Sequence, residues 1–310
     1  MADPTPSRRE SRDGPGYAAR SDVGVARSEN EDRFLVAPPV FAVADGMGGH
    51  QAGEVAARLA IDLLEEAVAS TPAPSPDDIV DAIERSNAAI RREARLRADL
   101  AGMGTTCTVV VVDAEIHVAH VGDSRAYRYR DGGLVQLTDD HSLVASMVRD
   151  GMIAPADALT DGRRNIITRA LGAEDEIRVD VTTADRARGD RLLVCSDGLH
   201  GQVDDAAIAA VLGEEREPPA AADRLVALAN AAGGDDNVTV IVIDADALVG
   251  AATEGQPTSP ATADPPPADA ATRAPRRGRG KRVAGLVLLV LVLIAVAIAI
   301  WLSAASTPVA

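Results

Sequence analysis

Aspartates stand at the tips of apolar runs at widely separated places in this 310-residue chain. Asp45 closes "FAVAD", Asp123 closes "VAHVGD", Asp197 closes "LLVCSD", and Asp236 stands in "GGDDN" just before the run "VTVIVID". Asp45, Asp123 and Asp197 sit beside glycines, which let backbone or a ligand come close. If these tips share one edge of a pair of sheets, several negative charges crowd together with little solvent, and the cluster needs a cation. All-oxygen ligation favours Mg²⁺ or Mn²⁺ over Zn²⁺, which prefers nitrogen and sulfur. His117 and His120 offer no rival zinc site, because an odd separation on a strand sends them to opposite faces. A second group, "VARSENEDRF", places Arg27 four and five residues ahead of Glu31 and Asp32. A guanidinium beside carboxylate-bound metal can grip a phosphate in bidentate fashion.

The elements that must position these residues read as follows. "RFLVA" and "VFAVAD" are expected strands around Pro38-Pro39. A helix follows with Val55, Leu59, Leu63 and Ala67 on its apolar face and Glu54, Arg58, Asp62 and Glu65 opposite. A second helix opens at Ser75-Pro76-Asp77-Asp78, with a cap, an early proline and acids near its positive end, and buries Ile79, Ile83 and Ile90. The strands "TTCTVVVVD", "EIHVAHVGD" and "RAYRYR" come next, the last joined to "LVQL" by the turn Asp131-Gly132-Gly133. Short helical stretches are expected over about 142–172, then "IRVDVTT", "RLLVCSD", helices near 204–212 and 219–231, and "NVTVIVID". Strands follow one another without crossover helices, so antiparallel pairing and an α+β class are expected.

Five segments are read along the chain. Residues 1–16, charged and proline-bearing, are expected to be disordered, and 17–246 to form the folded domain. A Pro/Ala-rich and then basic linker covers 247–282, an apolar run 283–302, and a short tail 303–310. The run "VAGLVLLVLVLIAVAIAIWL" is about what one helix needs to cross a bilayer. Arg273, Arg276, Arg277, Arg279, Lys281 and Arg282 precede it with no acid among them, which places the folded domain on the cytoplasmic side and the tail outside. The formal net charge is −16, and the chain ahead of that basic block carries −22, a poor surface for nucleic acid. Nothing points to an organic cofactor. Cys107 and Cys195 sit in apolar runs and suggest no disulfide framework.

In order, R-x-x-x-E-D, A-D-G-M-G-G-H, G-x-T, G-D-S-R, D-H-S, I-T-R-A-L-G, C-S-D-G-L and G-G-x-D-N resemble the metal-dependent protein phosphatase 2C family, bacterial membrane-anchored serine/threonine branch, over about Tyr17 to Asp244. The resemblance implies an αββα sandwich of two antiparallel sheets flanked by helices, here followed by one transmembrane helix. It implies hydrolysis of phosphoserine and phosphothreonine on proteins by a metal-activated water, with two Mn²⁺ or Mg²⁺ ions and a third, weaker one. By the same resemblance Asp45 bridges two ions, the Gly46 carbonyl binds one, and Asp197 and Asp236 complete the pair. Glu31 and Asp32 act through water, Arg27 holds the phosphate, and Asp123 serves the third ion. The stretch from about Met147 to Arg169 matches a variable flap. The implied partners are phosphorylated proteins, transmembrane serine/threonine kinases among them. Animal members carry a His directly after the Asp-Gly pair as a proposed general acid. Met47 holds that position here, leaving the acid's identity open with His50 nearby.

Rival readings have fewer residues behind them. A cysteine phosphatase needs an Arg six positions after its Cys, where this chain has Asp113 and Gly201. A serine hydrolase would use Ser124 of "GDSRA" with His141 or His200 as base. A pseudophosphatase would keep the fold to bind phosphoproteins without turnover.

Overall fold

A computed structural model describes residues 9–48, 52–71, 73–158 and 161–248. Thirteen strands and seven α-helices, with one 3-10 turn at Ala98–Leu100, follow one another along the described chain. They are β1 (Arg9–Gly14), β2 (Tyr17–Asp22), β3 (Arg33–Ala37), β4 (Val40–Ala44), β5 (Gly46–Met47), α1 (Ala52–Ser70) and α2 (Pro76–Leu96). Then come β6 (Gly104–Thr105), β7 (Cys107–Val112), β8 (Glu115–Val121), β9 (Arg125–Arg130), β10 (Gly133–Gln136), α3 (Leu143–Arg149) and α4 (Pro155–Ala158). The last are β11 (Asp180–Asp185), β12 (Arg191–Cys195), α5 (Asp197–His200), α6 (Asp205–Glu214), α7 (Pro218–Ala232) and β13 (Val238–Asp244).

Strand alternation builds the layers. Along β4, Val40, Ala42 and Ala44 join a core shared with α1 and α2, while Phe41 and Val43 join a second core. Along β13, Val238, Val240 and Val242 face α6 and α7, while Ile241 and Ile243 meet Phe41 and Val43 between the sheets. The period of two thus makes an α–β–β–α sandwich with three apolar layers. One sheet runs β1-β2-β13-β12-β9-β10 and the other β11-β8-β7-β4-β3, with a two-stranded ribbon β5-β6, and every pairing is antiparallel.

The α+β expectation holds, with corrections at particular places. Residues 9–14 are not disordered: they form β1, an exposed edge strand paired with β2, so ordered structure is already present before Tyr17. Backbone bonding, Arg20 paired with Asp13 and Asp223, and Arg9 paired with Asp223 hold this strand, none of which an apolar pattern can announce. At the other end Ala245 is buried and Leu248 packs on the inter-sheet core, so the fold runs past 246. The buried face of α1 is centred on Ala56, Ala57, Ala60, Ile61 and Leu64; Val55, Leu59 and Ala67 only flank it. The second helix opens as expected, with Ser75 and Asp78 forming a capping box and Ile79, Ile83 and Ile90 buried. Among the described residues no helix is long and apolar enough to cross a membrane. The 283–302 run and its tail lie outside the described residues, as does the linker beyond 248.

Candidate metal centre

Antiparallel pairing brings the aspartates to one end of the sandwich. Strand β4 delivers Asp45, and β8, which runs in the same direction two strands away, delivers Asp123. In the facing sheet β12 ends just before Asp197, and β13, antiparallel to it, starts just after Asp236. Strand β3 starts just after Glu31 and Asp32. The backbone of Asp45 is clamped: its N–H donates to Thr106 Oγ1 at 2.9 Å, and its carbonyl accepts from the Thr106 N–H and from Thr105 Oγ1, both at 2.9 Å. Gly46 then lies backbone to backbone against Gly53, the second residue of α1. A Cβ at Gly46 would collide with the Gly53 carbonyl, which explains a glycine directly after Asp45.

Asp32 is 2 % exposed and accepts from Ser196 Oγ at 2.8 Å. Asn237, inside the G-G-x-D-N motif, ties the loop of Arg27 and Glu31 to β13. Its Oδ1 accepts from the Glu31 N–H at 2.8 Å, and its Nδ2 donates to the Glu29 and Val23 carbonyls at 2.9 and 3.0 Å. Arg27, 48 % exposed, donates through Nη2 to Asp236 Oδ2 at 2.7 Å. The sequence reading gave Arg27 the phosphate alone; the structure adds Asp236 as a partner. A cleft of about 590 Å³ opens beside Arg27, between Glu31, Gly48, Ala52 and Leu100.

Crowding shows in the acidities. Burial pushes Asp32 up to about 7 and Asp123 up to about 8, with Asp197 adding to both. Asp45 is raised well above the usual carboxylate range, first by burial and then by Asp32, Asp197, Asp123 and Asp236. Asp197 is raised by burial and by Asp236, against a hydrogen bond to Asp45 and the charges of Arg27 and Arg164. Glu31 is raised by burial, partly offset by Arg27.

The side chains are not drawn into a closed cage. Among the described residues no group of three or more His, Cys, Asp or Glu stands at metal-holding spacing. The carboxylates lean on one another and on Arg27 instead. The donor set nonetheless fits a hard divalent cation. Every donor is oxygen, and Asp123 Oδ1 and Glu31 Oε1 are buried without a hydrogen-bond partner. A buried, unpaired acidic oxygen costs free energy that a cation recovers.

The same geometry disposes of two rivals. Ser124 is fully buried and shares its hydroxyl with Thr106 Oγ1 at 2.7 Å, while His141 and His200 bond the Gly122 and Asp123 backbone, so no Ser–His pair exists. Cys107 and Cys195 are buried free thiols pushed up to about 12 by burial, far from thiolate chemistry. His50 lies outside the described residues.

The family model described as "Protein phosphatase 2C" matches residues 25–230. The chain belongs to that family. It is 42 % identical over 230 residues to the serine/threonine protein phosphatase PstP of Mycobacterium tuberculosis, which covers 74 % of this chain and 44 % of that protein. This phosphatase 2C chain therefore spans less than half the length of PstP. It is 38 % identical over 238 residues to the serine/threonine phosphatase Stp of Listeria monocytogenes, covering 73 % of this chain and 94 % of that one. Among solved structures, the catalytic domain of PstP in complex with two manganese ions superposes with a TM-score of 0.68 at 40 % identity, over 74 % of this chain and 96 % of that one.

The sequence singled out each carboxylate that the structure brings together. It did not single out Asn237, Thr106 or Ser196 as supports. All three lie inside quoted motifs, Ser196 directly before Asp197, so position was the only signal available.

Proposed function

We propose that this chain is a divalent-metal-dependent protein serine/threonine phosphatase that hydrolyses phosphoserine and phosphothreonine on proteins. One observation carries the reading: Asp32, Asp45, Asp123, Asp197 and Asp236 converge from separate strand ends beside the exposed guanidinium of Arg27. Asp45, the Gly46 carbonyl, Asp197 and Asp236 would hold two ions, Glu31 and Asp32 would act through water, and Asp123 would serve a third, weaker ion. Bound Mn²⁺ or Mg²⁺ supplies an activated water and shields the phosphoryl oxygens. Arg27 binds the phosphate: with Nη2 anchored on Asp236, its remaining N–H groups point a planar donor set at the phosphoryl oxygens. Asp32, fixed by Ser196 in the buried cluster, and Glu31, fixed through its backbone by Asn237 at the cleft, would hold acceptors that orient water.

The partners proposed are phosphorylated proteins, transmembrane serine/threonine kinases among them. Support for a membrane setting is the sequence alone: the apolar run 283–302, the basic block before it, and a linker acting as a tether that raises effective concentration near membrane partners. The catalytic domain would face the cytoplasm.

The full chain should release phosphate from a phosphothreonine peptide and from p-nitrophenyl phosphate in Mn²⁺. EDTA should abolish turnover, and vanadate should do little at concentrations that silence cysteine phosphatases. Undiminished activity in EDTA overturns the metal mechanism. Phosphopeptide binding without turnover leaves the pseudophosphatase.

A further inference from the structure

His141 stands outside the carboxylate cluster, yet it holds the backbone that carries Asp123. It is 4 % exposed and meets the Gly122–Asp123 turn twice. Its backbone N–H donates to the Gly122 carbonyl at 2.7 Å, and its Nδ1 accepts from the Gly122 N–H at 3.0 Å. The second bond assigns the tautomer. An accepting Nδ1 carries no proton, so the neutral ring bears its proton on Nε2, which donates to Asp180 Oδ2 at 3.1 Å. Arg169 Nη1 donates to Asp180 Oδ1 at 2.8 Å, and its 2.9 Å approach to Nε2 is two donors converging on one carboxylate.

Each end of this linkage leads somewhere. Arg169 closes the 161–169 segment, which is pinned to the start of α3 and to His141: Leu143 N–H donates to the Ile166 carbonyl at 2.8 Å and Thr168 N–H to the His141 carbonyl at 2.7 Å. That stretch faces the cluster, since the charge of its Arg164 reaches Asp197. At the other end Gly122 has φ +115°, and a Cβ there would run into Thr106, the residue that clamps Asp45. His200 Nε2 holds the Asp123 carbonyl at 3.0 Å. The backbone around Asp123 is tied down from both sides, while Asp123 Oδ1 is left buried and unpartnered.

We propose that His141 is a positioning residue for the phosphatase reaction, linking the 161–169 segment, through Asp180 and Arg169, to the turn that aims the Asp123 carboxylate. The inference rests on the phosphatase reading above. Two substitutions split the linkage. His141→Asn places an amide oxygen near the site of Nδ1, keeping the acceptor for Gly122 and losing Asp180. His141→Gln reaches the site of Nε2, keeping Asp180 and stranding the Gly122 N–H.

On the full chain, H141Q should raise the Mn²⁺ needed for half-maximal activity about tenfold, the usual scale for a residue supporting a metal ligand. It should also speed hydrogen exchange in peptides spanning 118–124, with KM for a phosphothreonine peptide unchanged. H141N should leave Mn²⁺ response and exchange near wild type and raise that KM several-fold. If the glutamine variant does not fold, Asp180→Ala, which removes the acceptor of Nε2 and leaves the Gly122 bond, should reproduce the KM effect of H141N with no change in Mn²⁺ response. Identical behaviour of H141N and H141Q, or a loss of Tm with Mn²⁺ response and KM falling together in both, overturns the positioning role. If wild type turns over no phosphoester, the phosphatase reading falls. Mn²⁺ calorimetry and exchange at 118–124 then decide the His141 linkage by the same split.

Discussion

Asp45 belongs to the buried carboxylate cluster and Arg27 to the cleft beside it, so their substitutions should fail differently. Asp45→Asn removes an anion from the most crowded position of the cluster, and kcat should fall about 10²-fold or more with weaker Mn²⁺ binding. Arg27→Ala takes away the phosphate's charged donor, and KM should rise about tenfold or more, in line with loss of a charge-assisted hydrogen bond. Because Arg27 also neutralises Asp236, its removal should leave Mn²⁺ affinity equal or higher, never lower. Calorimetric Mn²⁺ titration of both variants beside steady-state kinetics checks this. Loss of Mn²⁺ binding in Arg27→Ala, or near-normal turnover in Asp45→Asn, contradicts the assignment.

At the scale of elements, the contact between the start of α1 and ribbon β5-β6 sets the cleft wall. A Cβ on Gly53 would stand 2.7 Å from the Gly46 carbonyl carbon, and backbone cannot yield as a flexible side chain can. Gly53→Ala should therefore destabilise by about 1–3 kcal/mol, the range for overpacking, and lower activity by moving Gly46. Urea titration reads the first effect, and an unchanged midpoint would refute the close-packing argument. This contact also shows what the sequence makes legible. Apolar runs announced the strands bearing Asp45, Asp123, Asp197 and Asp236, because a buried strand must be apolar and a charge at its tip stands out. They did not tell which sheet each strand joins: β8 and β9 are consecutive and lie in different sheets. Strand β1, "RESRDG", was invisible because an edge strand held by backbone bonds and ion pairs needs no apolar face. The face of α1 was misplaced because its close approach to the sheet is made by Ala56, Ala57 and Ala60, small residues that a search for large apolar side chains passes over. Hydroxyl supports such as Ser196 and Thr106 were illegible, since the same side chains cap helices and fill turns throughout any chain.

For the molecule as a whole, the acidic cluster ties stability to pH. Burial raises Asp32 to about 7 and Asp123 to about 8, so the fold keeps protons that the unfolded chain, with carboxylates near about 4, has released. That contribution is fully present below about pH 4 and is lost as pH rises through about 7 to 8. Tm in EDTA should accordingly fall between about pH 5.5 and 8.5. Mn²⁺ should raise Tm more at the upper end, where the carboxylates are free to bind it. A Tm in EDTA that climbs with pH across this window rejects the shifts. Removing residues 271–310 should release the protein from membranes without changing its turnover; fractionation that leaves the truncated form in the pellet would overturn the proposed tether.

Strand β13 lies between β2 and β12, so the first-made and last-made parts of the described fold are neighbours in one sheet. A growing chain on the ribosome carries β2 and β12 with open edges until residues 238–244 emerge, and Asp236 arrives only just ahead of them. A chain ending before residue 238 would lack the strand that joins β2 to β12, and fragments of that kind are expected to be without the proposed phosphatase activity.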